Sequence, residues 1–478
     1  MSLRTVEQYK ASLRDGRVVY FRGARVEDVT THAVIGLAVN HAAIDYEIAH
    51  QPEHRSLAVW NDPATDREFS RYFKIPSHAD DLLQRSALIE TSTRIGGTLV
   101  VLIKEIGTDC LFALHLVARQ MDEQLGTAYL PRVQSIYEHC RNNDLAMAVA
   151  QTDVKGNRSR GPAEQEHPDY YVRVIERRRD GIVVRGAKVH TSVTPNANEL
   201  FVIPTRNLTE DDRDYAVAFC IPVNTPGLKQ IASPYGAGHE NPFTHPLSSR
   251  HKMMETLTVF DDVFVPNERI FMNGEWQFAG PLARTFVEFH RFTAVSYKLP
   301  LLDLLAGSAL LIAEQNGIER AGHVRDKLIW LISYAETVRM LSKMAAIQCA
   351  IEDGIAVPNA TAVNIAKLHF ASNYHQALMH VQDLTGGLLV TGPGEEDLKN
   401  PETRKYIERY LGGGVTAEER LRTINLISDL TTGEFGGYQA VLAIHAEGSL
   451  EAEKLTILRA YDQERAKSYA RSMIGNAG

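Results

Sequence analysis

A histidine with two basic neighbours lies just beyond the middle of the chain: His290, Arg291 and Lys298. An imidazole beside cationic groups can donate or accept a proton near neutral pH. The spacing of eight residues predicts that His290 and Lys298 lie roughly on one face of a helix. A histidine at the start of a helix is also a common structural residue, so the spacing leaves both interpretations open.

Three other stretches carry polar groups or paired glycines that could bind a cofactor: residues 151–158, 186–192 and 383–388. The first is a loop with amide, hydroxyl and basic side chains, the second ends a strand, and the third contains Gly386-Gly387. Paired glycines let another group approach the backbone closely, although they also end helices. A solvated linker, an ordinary strand end and a helix stop are the alternative interpretations.

Composition and charge exclude several classes of protein. The 478 residues carry a net charge of −8, which gives no electrostatic reason to expect nucleic acid or an anionic membrane as a partner. No apolar run approaches the roughly 18 residues needed to cross a bilayer. The four cysteines are scattered, and His369, His375 and His380 lack metal-ligand spacing, so no metal site is expected. These features predict a reduced, cytoplasmic chain.

Three regions position the candidate groups. Residues 1–145 are predicted to be helical, beginning with a capping box at Thr5, and residues 133–150 are interpreted as helix as well. Residues 146–280 contain short β-rich runs separated by Pro and Gly, which predicts a compact β-domain. Residues 281–478 are predicted to form an antiparallel helical bundle. The fold class is therefore mostly α with a central β-domain.

Two local patterns make specific predictions about these regions. Asp180-Gly181 lies between two β-rich runs and predicts a hairpin, because this pair tolerates the positive φ angles of tight turns. In the last region, apolar residues recur every three to four positions and predict one buried helix face. They are Val324, Leu328, Leu331, Ala335 and Val338.

The sequence is similar to one known family over essentially its full length. The resemblance lies in residues 9–17, 23–32, 152–158, 181–188, 260–266, 290–291, 385–393 and 400–411. These segments resemble the 4-hydroxyphenylacetate 3-hydroxylase and 4-hydroxybutyryl-CoA dehydratase family. The resemblance implies an acyl-CoA-dehydrogenase-like fold, a homotetramer, and FAD bound between the β-domain and the helical bundles.

The resemblance also implies which residues contact the flavin. All of them lie in the three polar stretches described above. Carried over position by position, they are Gln151, Thr152, Lys155, Asn157, Arg158, Ser192, Thr385, Gly386 and Gly387.

The chain departs from the dehydratases at the ligands of their iron–sulfur cluster, which are three cysteines and a histidine. His290 matches the histidine, but other residues stand at the cysteine positions: Val101, Glu105 and Tyr297. Because thiolates are indispensable to such a cluster, we expect neither the cluster nor dehydratase activity. Lys298 and Glu255 match two further dehydratase residues. At two other dehydratase positions this chain has different residues, Ala294 and Leu442.

The chain departs from the phenol hydroxylases as well, which hold their substrate with an arginine, a tyrosine and a histidine. Ile106, Cys110 and Val149 stand at these positions. Apolar side chains cannot replace groups that bind a phenolate with the same specificity, so 4-hydroxyphenylacetate is not the expected substrate. The resemblance therefore implies a more apolar substrate pocket.

Three functions follow from these similarities and departures. The favoured one is a two-component FAD-dependent monooxygenase that receives reduced FAD from a separate reductase, since the chain has no GxGxxG fingerprint of its own. The expected substrate is a small aromatic or apolar molecule, with His290 donating a proton or orienting it and Arg291 and Lys298 in support. One alternative is a flavin-dependent isomerase, dehydrogenase or lyase that acts on an acyl thioester, with Glu255 or His290 as base. The other is a catalytically silent binding subunit.

Overall fold

The computed structural model describes residues 3–235 and 241–475. Its first part is a group of helices, as predicted. Thr5 opens the first helix with the expected capping box, since Thr5 Oγ1 accepts from Gln8 N (3.3 Å) and Gln8 Oε1 accepts from Thr5 N (2.9 Å). The helices are α1 (Val6–Ser12), α2 (Ile35–Ala42), α3 (Ile44–Glu47), α4 (Pro52–Ala58), α5 (Ala79–Ile95), α6 (Glu105–Leu125) and α7 (Leu130–Asn142).

The described strands form two large sheets and two small hairpins. They are β1 (Val19–Phe21), β2 (Ala24–Arg25), β3 (Val59–Asp62), β4 (Arg67–Ser70), β5 (Met147–Ala150), β6 (Arg173–Arg177), β7 (Gly181–Ser192), β8 (Glu199–Val202), β9 (Val217–Pro222), β10 (Leu228–Ala232), β11 (Glu255–Pro266), β12 (Ile270–Asn273), β13 (Ala350–Glu352) and β14 (Ile355–Val357). The first sheet has the order β2-β1-β10-β11-β7-β6, the second has the order β12-β9-β8-β5, and the hairpins are β3-β4 and β13-β14.

The two large sheets share one apolar core. Phe219 on β9 and Phe260 on β11 meet edge to face across it, with ring centroids 5.9 Å apart. Strands β1 and β2 of the first sheet come from the N-terminal region, and β1 pairs parallel to β10. The central β-domain is thus present, and the domain boundaries at residues 145 and 280 stay predictions.

The hairpin predicted at Asp180-Gly181 is present as β6 and β7, but the glycine has a different role from the expected one. Gly181 is not among the glycines with positive φ. It is paired with Pro266 on β11, and a Cβ atom at Gly181 would overlap the carbonyl oxygen of Val265. The glycine is therefore needed for close packing of two strands rather than for the turn conformation.

The interpretation of residues 133–150 as helix is wrong in its second half. Helix α7 ends at Asn142, Asp144 adopts a left-handed conformation (φ 47°), and the chain continues as strand β5. All four residues of β5 are buried, and all four are apolar. Its sequence therefore lacks the alternation of polar and apolar residues that marks a half-buried strand. A short, wholly apolar run cannot be distinguished from a buried helix by periodicity.

The last region is the predicted helical bundle. Its helices are α8 (Trp276–Gln315), α9 (Gly322–Ile347), α10 (Ala360–Thr385), α11 (Leu388–Thr391), α12 (Glu395–Lys399), α13 (Pro401–Leu411), α14 (Ala417–Thr431), α15 (Glu434–His445), α16 (Leu450–Ala460) and α17 (Gln463–Met473). The apolar stripe predicted from Val324 to Val338 lies on α9 and is buried.

Helix α8 corrects the expectation that no apolar run is long enough to cross a membrane. The helix has 40 residues and contains an 18-residue window with a mean hydropathy of 1.5, which suffices by length and composition. However, 61% of that window is buried inside the protein, where α8 packs on α5, α6, α9 and α10. This burial is typical of the core helix of a globular domain.

Candidate functional site

Strand β7 anchors the polar loop at residues 151–158 through a buried ion pair. Lys188 Nζ lies 2.8 Å from Asp153 Oδ1 and donates to the carbonyl oxygens of Gln151 (2.7 Å) and Ile203 (3.0 Å). Burial lowers the pKa of Lys188, and the Asp153 carboxylate opposes this shift. A buried charge with three oxygen partners fixes the backbone on which the loop is built.

The loop itself combines a kinked backbone with unengaged polar side chains. Lys155 and Gly156 both have positive φ angles, 75° and 52°. The Oδ1 atom of Asn157 is engaged, because it accepts from Ser159 N (3.1 Å) and Ser159 Oγ (2.8 Å). Within the described part of the chain, four predicted flavin contacts make no side-chain hydrogen bond: Gln151, Thr152, Lys155 and Arg158.

The predicted glycine turn after α10 makes its hydrogen bonds within the helical bundle. Thr385 Oγ1 donates to the carbonyl oxygen of Val381 (2.8 Å), so its hydroxyl is already engaged. Gly386 has a positive φ of 76°, which ends the helix. A Cβ atom at Gly386 or Gly387 would meet nothing within 4 Å, so this side of the turn is open.

Glu255 and Ser192 are brought together by the register of β7 and β11, in which they are paired. Ser192 Oγ donates to the Glu255 carboxylate (3.0 Å), and Tyr438 Oη on α15 donates to its Oε1 atom (2.7 Å). Burial raises the pKa of Glu255, whereas the hydrogen bonds from Tyr438 and Ser192 oppose the rise. This carboxyl group therefore joins the β-domain to the bundle and is suited to hold a proton.

A cavity opens beside Glu255. Lys252, His251 and Glu434 also line it, together with apolar groups such as Phe435. Burial lowers the pKa of Lys252 to about 8, with Glu434 and Glu255 opposing the shift. Acidic and basic groups with shifted pKa values in one cavity are typical of a functional site.

His290 lies in the interior of α8, not at a helix start as expected. Its Nδ1 atom is 3.3 Å from Asp109 Oδ2 on α6, and its ring stacks on Phe286. Asp109 Oδ1 accepts from Arg85 Nη2 (2.7 Å) and from Thr293 Oγ1 (3.1 Å). A buried carboxylate that is itself held by an arginine fixes the orientation of the imidazole.

Sequence reasoning missed Asp109, although it singled out Ile106 and Cys110 on the same helix. Residues 105–114 of α6 are all buried, and Asp109 is a charged side chain inside this otherwise largely apolar segment. A buried carboxylate needs a partner. This requirement could have identified Asp109 as a residue with an ionic or hydrogen-bonding partner. The sequence alone does not identify Arg85 and His290 as those partners.

Arg291 and Lys298 do not join His290, so the predicted common helix face is not formed. Lys298 Nζ lies 2.9 Å from Glu447 Oε2, and Arg291 Nε donates to the Glu447 carbonyl oxygen (3.0 Å). Eight residues turn an α-helix by about 80° beyond two full turns, enough to give the two side chains different neighbours. Burial lowers the pKa of Lys298 well below its usual value, and nearby Lys367 adds to this. These two cations therefore secure the C-terminal segment to α8.

Comparison with known proteins identifies the family. Residues 5–272 match the family model described as 4-hydroxyphenylacetate 3-hydroxylase N terminal, and residues 279–475 match the corresponding C-terminal model. The chain belongs to the 4-hydroxyphenylacetate 3-hydroxylase family. The family membership predicted from sequence is thus confirmed.

Two curated members of the family resemble this chain along its length. It is 29% identical to the 4-hydroxybutyryl-CoA dehydratase/vinylacetyl-CoA-Delta-isomerase of Clostridium aminobutyricum, covering 99% of both chains. It is also 29% identical to the 4-hydroxyphenylacetate 3-monooxygenase oxygenase component of Thermus thermophilus, covering 95% of this chain and 94% of that one.

Solved structures confirm the fold class. A 4-hydroxyphenylacetate 3-monooxygenase oxygenase component complexed with FAD superposes with a TM-score of 0.90 at 28% identity, covering 98% of both chains. Butyryl-CoA dehydrogenase from Megasphaera elsdenii superposes with a TM-score of 0.53 at 14% identity, covering 96% of this chain and 99% of that one. The acyl-CoA-dehydrogenase-like fold expected from the resemblance is present.

Most residues at which this chain is predicted to depart from its relatives are buried, whereas Tyr297 and Leu442 are half-buried. Ile106, Cys110 and Val149 lie in the main hydrophobic core, with exposed fractions of 7%, 0% and 5%, and their role in a substrate pocket stays a prediction. Val101 is also buried, and Glu105 Oε2 accepts from Lys104 N (3.2 Å). Among residues 3–235 and 241–475, no group of three or more His, Cys, Asp and Glu side chains is arranged to hold a metal ion.

The chemistry of the polar loop at residues 151–158, which follows β5, fits a flavin dinucleotide. Its four unengaged side chains offer two cations and two neutral hydrogen-bonding groups, which suit phosphate oxygens and the polar edge of a flavin ring. Ser192 is committed to Glu255, and Thr385 is committed to its own helix. Which of the predicted residues contact the flavin stays a prediction, and Gln151, Thr152, Lys155 and Arg158 are those whose side chains make no hydrogen bond in the described part of the chain.

Lys188→Met tests whether the ion pair on β7 supports this loop. The variant leaves the Asp153 carboxylate buried without its cation, which costs about 3–5 kcal/mol. We expect FAD affinity, measured by fluorescence titration, to fall by more than about tenfold. Lys229→Met is the matched control, because Lys229 is 44% exposed and pairs with Asp261 on the same sheet. Equal FAD affinity in the two variants would show that the ion pair does not support flavin binding.

Proposed function

We propose that this chain is the oxygenase component of a two-component, FAD-dependent monooxygenase that acts on a small aromatic or apolar substrate. A separate flavin reductase supplies reduced FAD. The proposal is supported by the superposition on an FAD-complexed oxygenase component over 98% of both chains. It is also supported by the polar loop at residues 151–158, whose unengaged side chains match a flavin dinucleotide.

The environment of His290 is the observation that carries this proposal. The resemblance to the dehydratases places a cluster-binding histidine here, but in this chain the imidazole is hydrogen-bonded to Asp109. Its Asp109 partner is neutralised by Arg85. A histidine oriented in this way is equipped for proton transfer, and the cluster chemistry would require thiolates that the neighbouring positions do not supply.

The side chains of this chain have distinct tasks in the proposed reaction. Reduced FAD, when bound, supplies the electrons for the activation of molecular oxygen. His290 holds or moves a proton, and Asp109 and Arg85 keep its ring in place. The largely apolar surroundings of α6 exclude water, which limits the unproductive loss of reducing equivalents.

An oxygen-dependence assay tests the function directly. Purified protein is supplied with FAD, NADH and a flavin reductase, and 4-nitrophenol and other phenols are offered under air and under anaerobic conditions. We expect hydroxylated product only in air, and iron analysis of anaerobically prepared protein should find no stoichiometric iron. Four irons per chain, or turnover without oxygen, would contradict the proposal.

A second candidate function is favoured by Glu255. Its carboxyl group has a raised pKa and lines the cavity together with Tyr438, as a base for an acidic C–H bond requires. The candidate is a flavin-dependent isomerase, dehydrogenase or lyase for an acyl-CoA thioester. The anaerobic arm of the same assay, supplied with crotonyl-CoA or vinylacetyl-CoA, detects this activity.

His290→Ala distinguishes a catalytic histidine from a structural one. We expect turnover to fall by roughly 10²–10⁴-fold, the usual contribution of a positioned acid–base group. FAD affinity should change little, because the proposed flavin contacts lie elsewhere in the chain, in the loop at residues 151–158 after β5. His375→Ala on the exposed side of α10 serves as the control. If His290→Ala instead lowers only stability, by about 1 kcal/mol, Glu255 becomes the candidate proton carrier.

We further propose that the protein is a homotetramer assembled through the helical bundle. Helix α9 exposes an apolar stripe that a second copy could cover, formed by Ile329, Ile332, Met340, Met344 and Ile347. Light scattering should give a mass of about four chains of 53.3 kDa. Met340→Glu, at a side chain that is 62% exposed, should lower this mass. A wild-type mass of one chain would rule the proposal out.

A further inference from the structure

A buried histidine and a half-buried one from distant parts of the chain are in direct contact. His41 on α2 and His251, four residues before β11, have Nδ1 atoms 3.3 Å apart and rings inclined at 76°. Gly96 and Gly97 make room for them. A Cβ atom at Gly96 would lie 2.7 Å from His41 Cε1, and one at Gly97 would lie 2.5 Å from His251 Cδ2. The pair is therefore built into the packing of the β-domain against the helices.

The hydrogen bonds of the pair determine which nitrogen atoms carry protons. His41 Nε2 lies 3.1 Å from the carbonyl oxygen of Val100, and a carbonyl oxygen can only accept. His41 Nε2 therefore carries a hydrogen, and in the neutral ring Nδ1 is an acceptor. His251 Nδ1 must then be the donor between the rings. Its own Nε2 atom is left with a lone pair.

The hydrogen bonds require His41 to be neutral, because its Nδ1 atom must accept. The lowered pKa of each ring indicates that both are neutral at neutral pH. Burial lowers the pKa of His41 to about 4. Burial, with His41 and Arg250 as neighbours, lowers the pKa of His251 to about 3. The nearby cavity wall carries Lys252 and Glu255.

We propose that His251 presents Nε2 to the cavity as a fixed hydrogen-bond acceptor for an N–H or O–H group of the bound ligand. His251 lines the cavity, and its Nε2 atom makes no hydrogen bond to any residue in the described part of the chain. The apolar side chains of Leu99 and Phe435 line the same cavity, which therefore suits a ligand with an apolar surface and a hydrogen-bond donor. This inference rests on the proposed function, which supplies two such ligands: the flavin ring and a phenolic substrate.

The role of His41 in this arrangement is positional. It does not reach the ligand, but its bond to Val100 fixes the tautomer of His251. Without that bond the imidazole of His251 could present an N–H group to the cavity instead of a lone pair.

Binding measurements on two variants of His251 test the acceptor. His251→Phe keeps a ring but removes the acceptor, and His251→Gln places an amide oxygen at a similar reach. We expect His251→Phe to weaken binding by ~2- to 10-fold, the size of one neutral hydrogen bond, and His251→Gln to recover most of it. A weaker FAD titration assigns the bond to the flavin, and weaker 4-nitrophenol binding to the FAD-loaded protein assigns it to the substrate. Unchanged binding of both probes to His251→Phe overturns the inference.

Nitrogen NMR of the wild-type protein tests the tautomers without any variant. Protein labelled with ¹⁵N-histidine should show His251 protonated at Nδ1 and His41 protonated at Nε2 at pH 7. A His251 ring protonated at Nε2, or at both nitrogens, overturns the inference. Failure of the wild type to bind FAD would instead refute the proposed function, and the NMR result would stand independently.

Discussion

The antiparallel pairing of β7 with β11 determines the positions of the polar groups of the site, namely Ser192, Glu255 and the loop at residues 151–158. It runs from Gly181 opposite Pro266 to Ser192 opposite Glu255, with two register shifts between them. The same strand holds Lys188, whose ion pair with Asp153 secures the polar loop. A slip of one residue would turn these side chains to the opposite face of the sheet, and both the loop and the carboxyl group would be lost together.

Helix α8 provides a second constraint, because two of its ionisable side chains contact different parts of the protein. His290 is turned toward Asp109, whereas Lys298 is turned toward Glu447. Buried ion pairs contribute little net stability because desolvation offsets their attraction, but an unpaired buried charge is costly. The helix can therefore pack in only one rotation and one register.

Features encoded locally were predictable from the sequence, and features that join distant residues were not. The capping box at Thr5, the β6-β7 hairpin and the buried stripe of α9 each follow from residues close together in the chain. The pairing of Asp109 with His290 spans 181 residues, and that of His41 with His251 spans 210. Neither pair has a spacing signature, because tertiary packing alone brings them together.

The contacts of the C-terminal segment have a consequence for the order in which the protein folds during synthesis. Glu447 and Glu453 neutralise buried cations on helices made much earlier, namely Lys298 on α8 and Lys367 on α10. Until these two glutamates have left the ribosome, closure of the bundle would bury positive charges without partners. The N-terminal helices and the β-domain can therefore fold as the chain emerges, whereas the bundle closes only after residues 447–453 have been synthesised.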